Sequence, residues 1–191
     1  MAYDSIQLDD RLILRPPIYE DALAVLDIIA RDSAYLGQYL PWAETVPSLE
    51  DQTRYIQSRM NDESESDGRR AGKQSEWYAI QLDDELVGAI ELTVTNDTGR
   101  KGELGYWLAS HSQGRGIMTR SAIALTSLGF AELRLNVIWI HAELSNTLSR
   151  SVAERAGYAF RGKFSRNMLM RQDPVIMAGY SADADEWELP D

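Results

Sequence analysis

The chain has 191 residues, of which 44% are hydrophobic and 26% charged, and its formal net charge is −11. This length and composition predict a single globular domain over 1–191, and the acidic balance argues against broad nucleic-acid binding, which needs a basic face. Because there is no cysteine and only two histidines, disulfides, cysteine nucleophiles and a typical zinc site are excluded.

The N-terminal half predicts a hairpin followed by two helices. IQLDDRLILRP alternates around a turn-like Asp9-Asp10, and YEDALAVLDIIARD repeats apolar residues at helical spacing. SLED, from Ser48, places an acid three residues after a serine and so predicts the start of a second helix. Residues 61–75 contain no large apolar side chain and predict a flexible loop.

The central part predicts an antiparallel meander that leads into a glycine turn. EWYAIQL and LVGAIELTVT surround a turn at Asp83-Asp84, and ELGYWLA is the third strand. The turn that follows, 113–118, contains Gly114 and Gly116, and an apolar helix is expected over about 115–130.

The C-terminal part predicts a strand at RLNVIWIHA, a helix over Asn146 to Ala156 closed by Gly157, and a last strand near Val175 to Tyr180. The acidic end, about 182–191, has the composition of a solvated tail. Together these elements predict an α/β fold with a mixed, mostly antiparallel sheet and helices on both faces. No segment has the apolar length of a membrane span or the pattern of a signal peptide, so we expect a cytoplasmic protein.

The glycine turn is the main functional signal. Two glycines in four residues let a ligand approach the backbone, and the following helix would offer its free N-terminal N–H groups to an anion. A phosphate-bearing ligand is one interpretation, and a tight strand-to-helix connection without a ligand is the other. A dinucleotide fingerprint would need a third glycine where Thr119 stands, and no Gly-Lys-Ser/Thr phosphate loop follows.

GYWL, the QGRGI turn and the downstream NTLSRSVAERAGYAFRG resemble the GNAT acetyltransferase superfamily. They are most similar to its Rim-type branch, the ribosomal-protein N-terminal acetyltransferases and their relatives, which LILRPPIYEDA and YLPWAETVPSLEDQTRYI also resemble. The resemblance implies the GNAT-like fold and acetyl-CoA as co-substrate, without a metal. It also implies that the pyrophosphate lies against main-chain N–H groups of Gln113, Gly114, Arg115, Gly116, Ile117 and Met118, with the Thr119 hydroxyl nearby.

Met118 stands where the family pattern ends in a small residue, although Rim-type members often carry a larger one. In the resemblance, main-chain N–H groups near Leu108 polarise the thioester carbonyl and Asn146 contacts the pantetheine arm. Asn146 has a second interpretation as a helix cap only. In the resemblance Ser149 is the proton donor to the departing thiolate. Ala153 stands where many GNAT enzymes carry a tyrosine acid, which favours Ser149 or solvent as the acid.

Transfer of acetyl to nitrogen needs a neutral amine. About a tenth of an α-amino group is neutral at pH 7, whereas only about four in ten thousand lysine side chains are. An N-terminal amine therefore tolerates a weak base, for which Glu103 is the first candidate and Glu91 the second. Strand alternation puts Glu103 on the face of Gly105 and Trp107, and the resemblance places acids of this strand toward the acceptor. Both glutamates have an alternative interpretation as ordinary strand residues.

These features predict an N-acetyltransferase that acetylates a primary amine, preferably a protein N-terminus, in a direct ternary complex. A small-molecule acetyltransferase acting on a polyamine, amino acid or aminoglycoside-like compound is an alternative, as is a non-catalytic acyl-CoA-binding module. Arg161 and Ile176 replace acids that Rim-type members commonly carry, which leaves the acceptor open. Tyr35, Tyr39 and Trp42 are candidate acceptor-pocket or core residues, and Trp77 and Trp139 are assigned to the core. No nucleic-acid or membrane partner is expected, and a homodimer is compatible with the resemblance.

Overall fold

The computed structural model describes residues 4–60, 75–95, 100–168, 171 and 173–190. The predicted loop at 61–75 lies outside the described residues except for Ser75, which begins a strand. The four helices described are α1 (Asp21–Leu36), α2 (Leu49–Met60), α3 (Ile117–Ala131) and α4 (Thr147–Arg155). The eight strands are β1 (Ile6–Gln7), β2 (Leu12–Arg15), β3 (Ser75–Leu82), β4 (Glu85–Val94), β5 (Lys101–Leu108), β6 (Val137–Glu143), β7 (Ala159–Arg166) and β8 (Val175–Asp183).

The strands form one mixed sheet in the order β1-β2-β3-β4-β5-β6-β8-β7. All neighbouring strands pair antiparallel except β5 and β6, which are parallel and are connected through α3. The predicted α/β fold with a mostly antiparallel sheet is therefore confirmed. The serine-to-acid pattern at α2 is confirmed as well, because the Ser48 hydroxyl oxygen accepts the backbone N–H of Asp51 at 3.1 Å.

Helices cover the sheet from both faces because apolar side chains alternate along the strands. On one face, Leu92, Leu104 and Ile138 belong to the core cluster that also contains Ile117 and Leu125 of α3. On the other face the core cluster joins the first two helices to β3 and β4 and contains Ala22, Ile56, Trp77, Ala79 and Ala89. The position predicted for Trp77 is thus confirmed.

The parallel strands β5 and β6 separate before they end. Their pairing extends from Lys101 opposite Val137 to Leu104 opposite Ile140, whereas β5 continues to Leu108 and β6 to Glu143. We call the diverging ends, residues 105–108 and 141–143, the fork. Within the fork β5 and β6 no longer pair, so the backbone groups on its two inner sides have no partner in the opposite strand.

The C-terminal end differs from the predicted solvated tail. β8 continues to Asp183, and after it the indole Nε1–H of Trp187 donates to the carbonyl of Ala156 at 2.9 Å. The same ring packs edge-on against Phe130, with ring centroids 5.7 Å apart. The acidic composition of this segment did not indicate that Trp187 packs against the domain. This side chain holds the residues after β8 against the ends of α3 and α4.

Within the described ranges, no helix is long and apolar enough to cross a membrane. The same residues contain no group of three or more histidine and carboxylate side chains arranged to hold a metal ion.

Candidate active site

A cleft of about 550 Å³ opens where β5 ends and α3 begins. It is lined by the end of α1, the fork, the glycine turn and the start of α4, which are far apart in sequence. Predicted site residues that line it are Leu108, Gln113, Gly114, Gly116, Ile117, Met118, Thr119, Asn146 and Ser149. The structure thus brings most of the predicted cofactor residues together with the predicted acid.

The glycine turn has a backbone shape that other residues adopt only with strain. Gly114 and Gly116 both have φ of +71°, in the left-handed region, and a Cβ added at either would meet no atom within 4 Å. The space beside them is therefore open to a ligand. Gly116 precedes α3 without a side-chain cap, so the first N–H groups of this helix face the cleft without a protein side chain bound to them.

An unpaired hydroxyl adds to this anion-binding character. The Oγ of Ser112 is buried and has no hydrogen-bond partner among the residues that the structure describes, and Ser112 lines the cleft just before the glycine turn. Burying a hydroxyl without a hydrogen-bond partner costs free energy. A hydrogen bond to a ligand oxygen in the cleft would offset this cost. Free helix N–H groups, glycines that leave open space and this hydroxyl together fit a phosphate group.

Arg115, predicted to contribute its main-chain N–H, is exposed and is not among the residues that line the cleft. Its positive charge acts instead on Asp83 in the β3–β4 turn. Arg155, at the end of α4, does line the cleft, and its Nε donates to the Thr119 hydroxyl at 3.4 Å. Sequence reasoning missed this arginine, because only the packing of α4 beside α3 brings it near the turn.

The backbone N–H of Leu108 points into the fork. Ala109 donates its N–H to Val87 in the direction of β4, at 2.8 Å, so alternation directs the preceding N–H away from β4. At this level β6 has already diverged, and Leu108 lines the cleft. A carbonyl oxygen in the fork would therefore meet an N–H donor fixed by the sheet.

Both interpretations of Asn146 are compatible with its position. Its side-chain oxygen caps α4 by accepting the backbone N–H of Ser149 at 3.0 Å, which confirms the cap. Because the cap uses only the oxygen, the amide NH₂ is left to donate elsewhere, and Asn146 lines the cleft.

Ser149 is paired with a tyrosine that the sequence analysis did not single out. The Tyr106 hydroxyl lies 3.0 Å from the Ser149 Oγ and donates to the Ser149 carbonyl at 3.2 Å. Burial raises the pKa of Tyr106 to about 12, so its hydroxyl keeps its proton at neutral pH. Both residues line the cleft and form a pair of neutral hydroxyls there.

Glu103 lies on the other face of the sheet, in a second cavity of about 430 Å³. Strand alternation predicted this face, but not its neighbours. The cavity is also lined by Trp139, His141, Phe164 and Arg166. Trp139 is only half-buried, stacks on His141 and lines the second cavity, so its predicted place in the core is wrong.

Glu103 is held by two partners, one from the neighbouring strand β6 and one from β7. Its Oε1 lies 2.9 Å from Nδ1 of His141 and 3.4 Å from Nη1 of Arg166. Burial raises the pKa of Glu103, but the His141 hydrogen bond and the charges of His141 and Arg166 outweigh it and hold the pKa below its usual value. Glu103 is therefore ionised at neutral pH.

The other candidates occupy different surroundings. Glu91 is bound by Arg59 at 2.8 Å and by the Ser75 hydroxyl, under α2, which leaves Glu103 as the better-placed carboxylate. Tyr35 and Tyr39 line the cleft, whereas Trp42 packs edge-on against Trp107 with ring centroids 6.2 Å apart.

Known proteins are similar to this chain over most of its length. A sequence profile described as the acetyltransferase (GNAT) domain matches residues 11–159. YdaF of Bacillus subtilis, named as a candidate ribosomal N-acetyltransferase, is 30% identical over 95% of this chain and 96% of its own length. The ribosomal-protein-serine acetyltransferase of Escherichia coli is 24% identical over 83% and 85%. A structure of the ribosomal L7/L12 α-N-protein acetyltransferase RimL with coenzyme A superposes with a TM-score of 0.81, at 22% identity, over 94% of this chain and 98% of that one.

Proposed function

Since the chain belongs to the GNAT acetyltransferase family, in its Rim-type branch, and is an acetyl-CoA-dependent acetyltransferase, we propose that its acceptor is the α-amino group of a protein N-terminus. The observation that carries the proposal is the fork. Its residues Tyr106, Trp107 and Leu108 line the cleft that fits the donor, and its residue His141 lines the second cavity, which contains an ionised carboxylate. A donor and an amine would therefore approach the fork from opposite faces of the sheet.

On the donor side, the glycine turn, the start of α3 and the Ser112 hydroxyl would hold the pyrophosphate, with Arg155 and Thr119 beside them. The Asn146 amide is available to the pantetheine arm. When bound, acetyl-CoA supplies an activated acetyl group as a thioester. The Leu108 N–H would stabilise the negative charge that develops on the carbonyl oxygen during attack.

On the acceptor side, the chemistry favours an α-amine over a lysine side chain. An α-amine is about a tenth neutral at pH 7, so the active site has only to remove a proton as the new bond forms. The pKa of Glu103 lies below its usual value, so the acceptor side offers no strong base, whether this carboxylate takes the amine proton itself or orients the group that does. A weak base suffices for an N-terminus and would serve a lysine poorly.

The departing thiolate needs a proton. We propose Ser149 as its donor, with Tyr106 supporting the serine through their 3.0 Å contact. The names of the relatives support the same substrate class: the Escherichia coli protein is named as an acetyltransferase of a ribosomal-protein serine.

The test is release of free thiol from acetyl-CoA in the presence of matched amines. Peptides with a free N-terminal serine, alanine or methionine are compared with the same peptides bearing a blocked N-terminus and one lysine, and with spermidine and an aminoglycoside. We expect turnover with free N-termini and little with blocked peptides. Turnover confined to the polyamine or the aminoglycoside would replace the proposal with a small-molecule function.

A further inference from the structure

We propose that His141, oriented by Glu103, is the group that takes the proton from the attacking amine. Glu103 then acts as a positioning residue and not as the base itself. This inference rests on the proposed acetylation of an amine and assigns a role to a histidine that sequence reasoning set aside.

Glu103 and His141 are placed on either side of the point where the strands part. The last paired residues are Leu104 and Ile140, so Glu103 comes just before the fork on β5 and His141 is the first residue of the fork on β6. Both side chains line the second cavity. An amine that enters the fork from this cavity would therefore approach the imidazole and the carboxylate together.

The imidazole ring is held on both sides. Trp139 stacks on it with centroids 5.5 Å apart and planes 17° apart, and Phe164 meets it edge-on at 5.2 Å. Gly179, opposite His141 on β8, adds no side chain over the ring. A ring fixed by two aromatic neighbours and by a carboxylate is pre-organised for proton transfer.

The polar contacts determine which nitrogen is available. Both hydrogen bonds that the described residues make to the ring use Nδ1: one with Glu103 at 2.9 Å and one with Arg166 Nη2 at 3.0 Å. Nε2 is thus the nitrogen left for a substrate. When Nδ1 donates its proton to the Glu103 carboxylate, Nε2 carries a lone pair and can accept a proton.

Glu103 and Arg166 favour opposite tautomers. If Arg166 donated to Nδ1, the ring proton would lie on Nε2 and the ring would not be a base. In that state, the lone pair of Nδ1 would face an ionised carboxylate oxygen 2.9 Å away, which is unfavourable. Arg166, more than a third exposed, can instead bind the Glu103 carboxylate, from which its Nη1 is 3.4 Å distant. Glu103 therefore selects the base-competent tautomer.

The charged groups around the ring come from β5 and from β7, which packs beyond β8. Besides Glu103 and Arg166, the second cavity is lined by Lys101, Arg161 and Lys163. Arg161 is bound to Asp183 at 2.6 Å. Glu103 is thus the anion among the side chains that line the cavity in the described part of the chain.

The reaction balances with these groups. The nitrogen lone pair of the amine forms the bond to the carbonyl carbon, the bond between carbon and sulfur breaks, and the amine proton passes to Nε2 of His141. The thiolate takes its proton from Ser149 or from solvent. Histidine is the side chain most often used as a general base, and here its Nε2 is the nitrogen left for the amine.

The kinetic test uses His141→Gln and Glu103→Gln against an N-terminal peptide. We expect each to lower kcat/KM by about 100-fold with the KM for acetyl-CoA unchanged. His141→Gln should also remove the acid limb of the pH-rate profile, whereas Glu103→Gln should keep it, since Glu103 only positions the base. Glu103→Asp should restore part of the rate. The matched control is His111→Gln, at the other histidine, which is exposed outside both cavities. A wild-type acid limb that persists in His141→Gln would overturn the inference.

A second test does not depend on activity. With only two histidines in the chain, ¹⁵N-histidine NMR resolves His141 once His111→Gln has assigned the other ring. We expect the neutral wild-type ring to carry its proton on Nδ1, and Glu103→Gln to shift it to Nε2. A proton on Nε2 in the wild-type protein would overturn the inference.

The inference and the proposed function can fail separately. If the wild-type enzyme acetylated no amine, the proposed function would fail even with the expected tautomer. An active wild type with a fully active His141→Gln would refute only the role of His141.

Discussion

At the scale of single residues, the hydroxyl groups of Tyr106 and Ser149 in the donor cleft lead to a first prediction. Tyr106 lies 3.0 Å from the Ser149 Oγ, and its raised pKa keeps its proton in place. We expect Ser149→Ala to lower kcat by about 100-fold and Tyr106→Phe by about 10-fold, since the serine delivers the proton and the tyrosine supports it.

The measurement is steady-state kinetics at saturating acetyl-CoA. Tyr158→Phe is the matched control, because this tyrosine is also buried and hydrogen-bonded, to Thr126 at 2.6 Å, but lies outside the cleft. If the Tyr158 variant lost as much activity as the Tyr106 variant, the effect would be one of packing and not of proton supply.

At this scale the sequence predicted residues near the glycine turn better than residues around the acceptor. Gln113, Gly114 and Gly116 form one continuous motif, so their spacing carried the information. The partners of Glu103 come from β6 and β7, and no local pattern links His141 or Arg166 to β5. The sequence did not indicate a role for Tyr106 for the same reason, because Ser149 belongs to a helix that only the tertiary fold brings near it.

At the scale of elements, the turn before α3 depends on one backbone conformation. Gly116 has φ of +71°, where a residue with a Cβ costs about 1–2 kcal/mol, and a Cβ there would enter the open space of the cleft. We expect Gly116→Ala to raise the KM for acetyl-CoA about tenfold and to lower kcat less.

Isothermal titration with acetyl-CoA would measure the same loss directly. Ser127→Ala is the control on the same helix, since its hydroxyl donates to the Ile123 carbonyl within that helix and Ser127 is not among the residues that line the cleft. Unchanged affinity in Gly116→Ala would show that the cofactor phosphates bind elsewhere.

The start of α4 combines a cap with a ligand contact, and two substitutions separate them. Asn146→Ala removes the oxygen that accepts the Ser149 N–H and should lower the free energy of unfolding by about 1 kcal/mol. Asn146→Ser keeps a capping oxygen but loses the amide donor, so it should weaken acetyl-CoA binding without that loss of stability. Urea denaturation and titration calorimetry measure the two effects. Equal affinity in Asn146→Ser and wild type would restrict Asn146 to the cap.

Most elements could be predicted because their patterns are local. Alternation predicted the β3–β4 hairpin, and the serine-to-acid pattern predicted the start of α2 at Leu49. The separation of β5 from β6 could not be predicted, because GYWL and WIHA have ordinary strand composition on both sides of it. Only the register shows that pairing ends at Leu104 and Ile140.

At the scale of the whole molecule, the C-terminal residues contribute to stability. Trp187 packs on Phe130 and donates to the carbonyl of Ala156. Because this indole is only partly buried, we expect Trp187→Ala to lower the free energy of unfolding by about 2 kcal/mol, less than for a fully buried tryptophan.

Chemical denaturation followed by circular dichroism measures the change. Leu189→Ala is the control, because this side chain is 66% exposed two residues away. If both variants unfolded at the wild-type midpoint, the segment after β8 would be the solvated tail that its composition suggested.

The divergence of β5 and β6 also gives the protein a sheet edge in its interior. Alternation turns the N–H groups of Tyr106 and Leu108 toward the fork, where β6 no longer pairs with them. An extended ligand lying in the fork can accept these bonds as a short extra strand would. In amide hydrogen exchange, these two positions should exchange quickly in the free enzyme and slowly with acetyl-CoA bound, while Leu104 is protected in both. Bound acetyl-CoA would then take the place of a short strand in the sheet in addition to supplying the acetyl group.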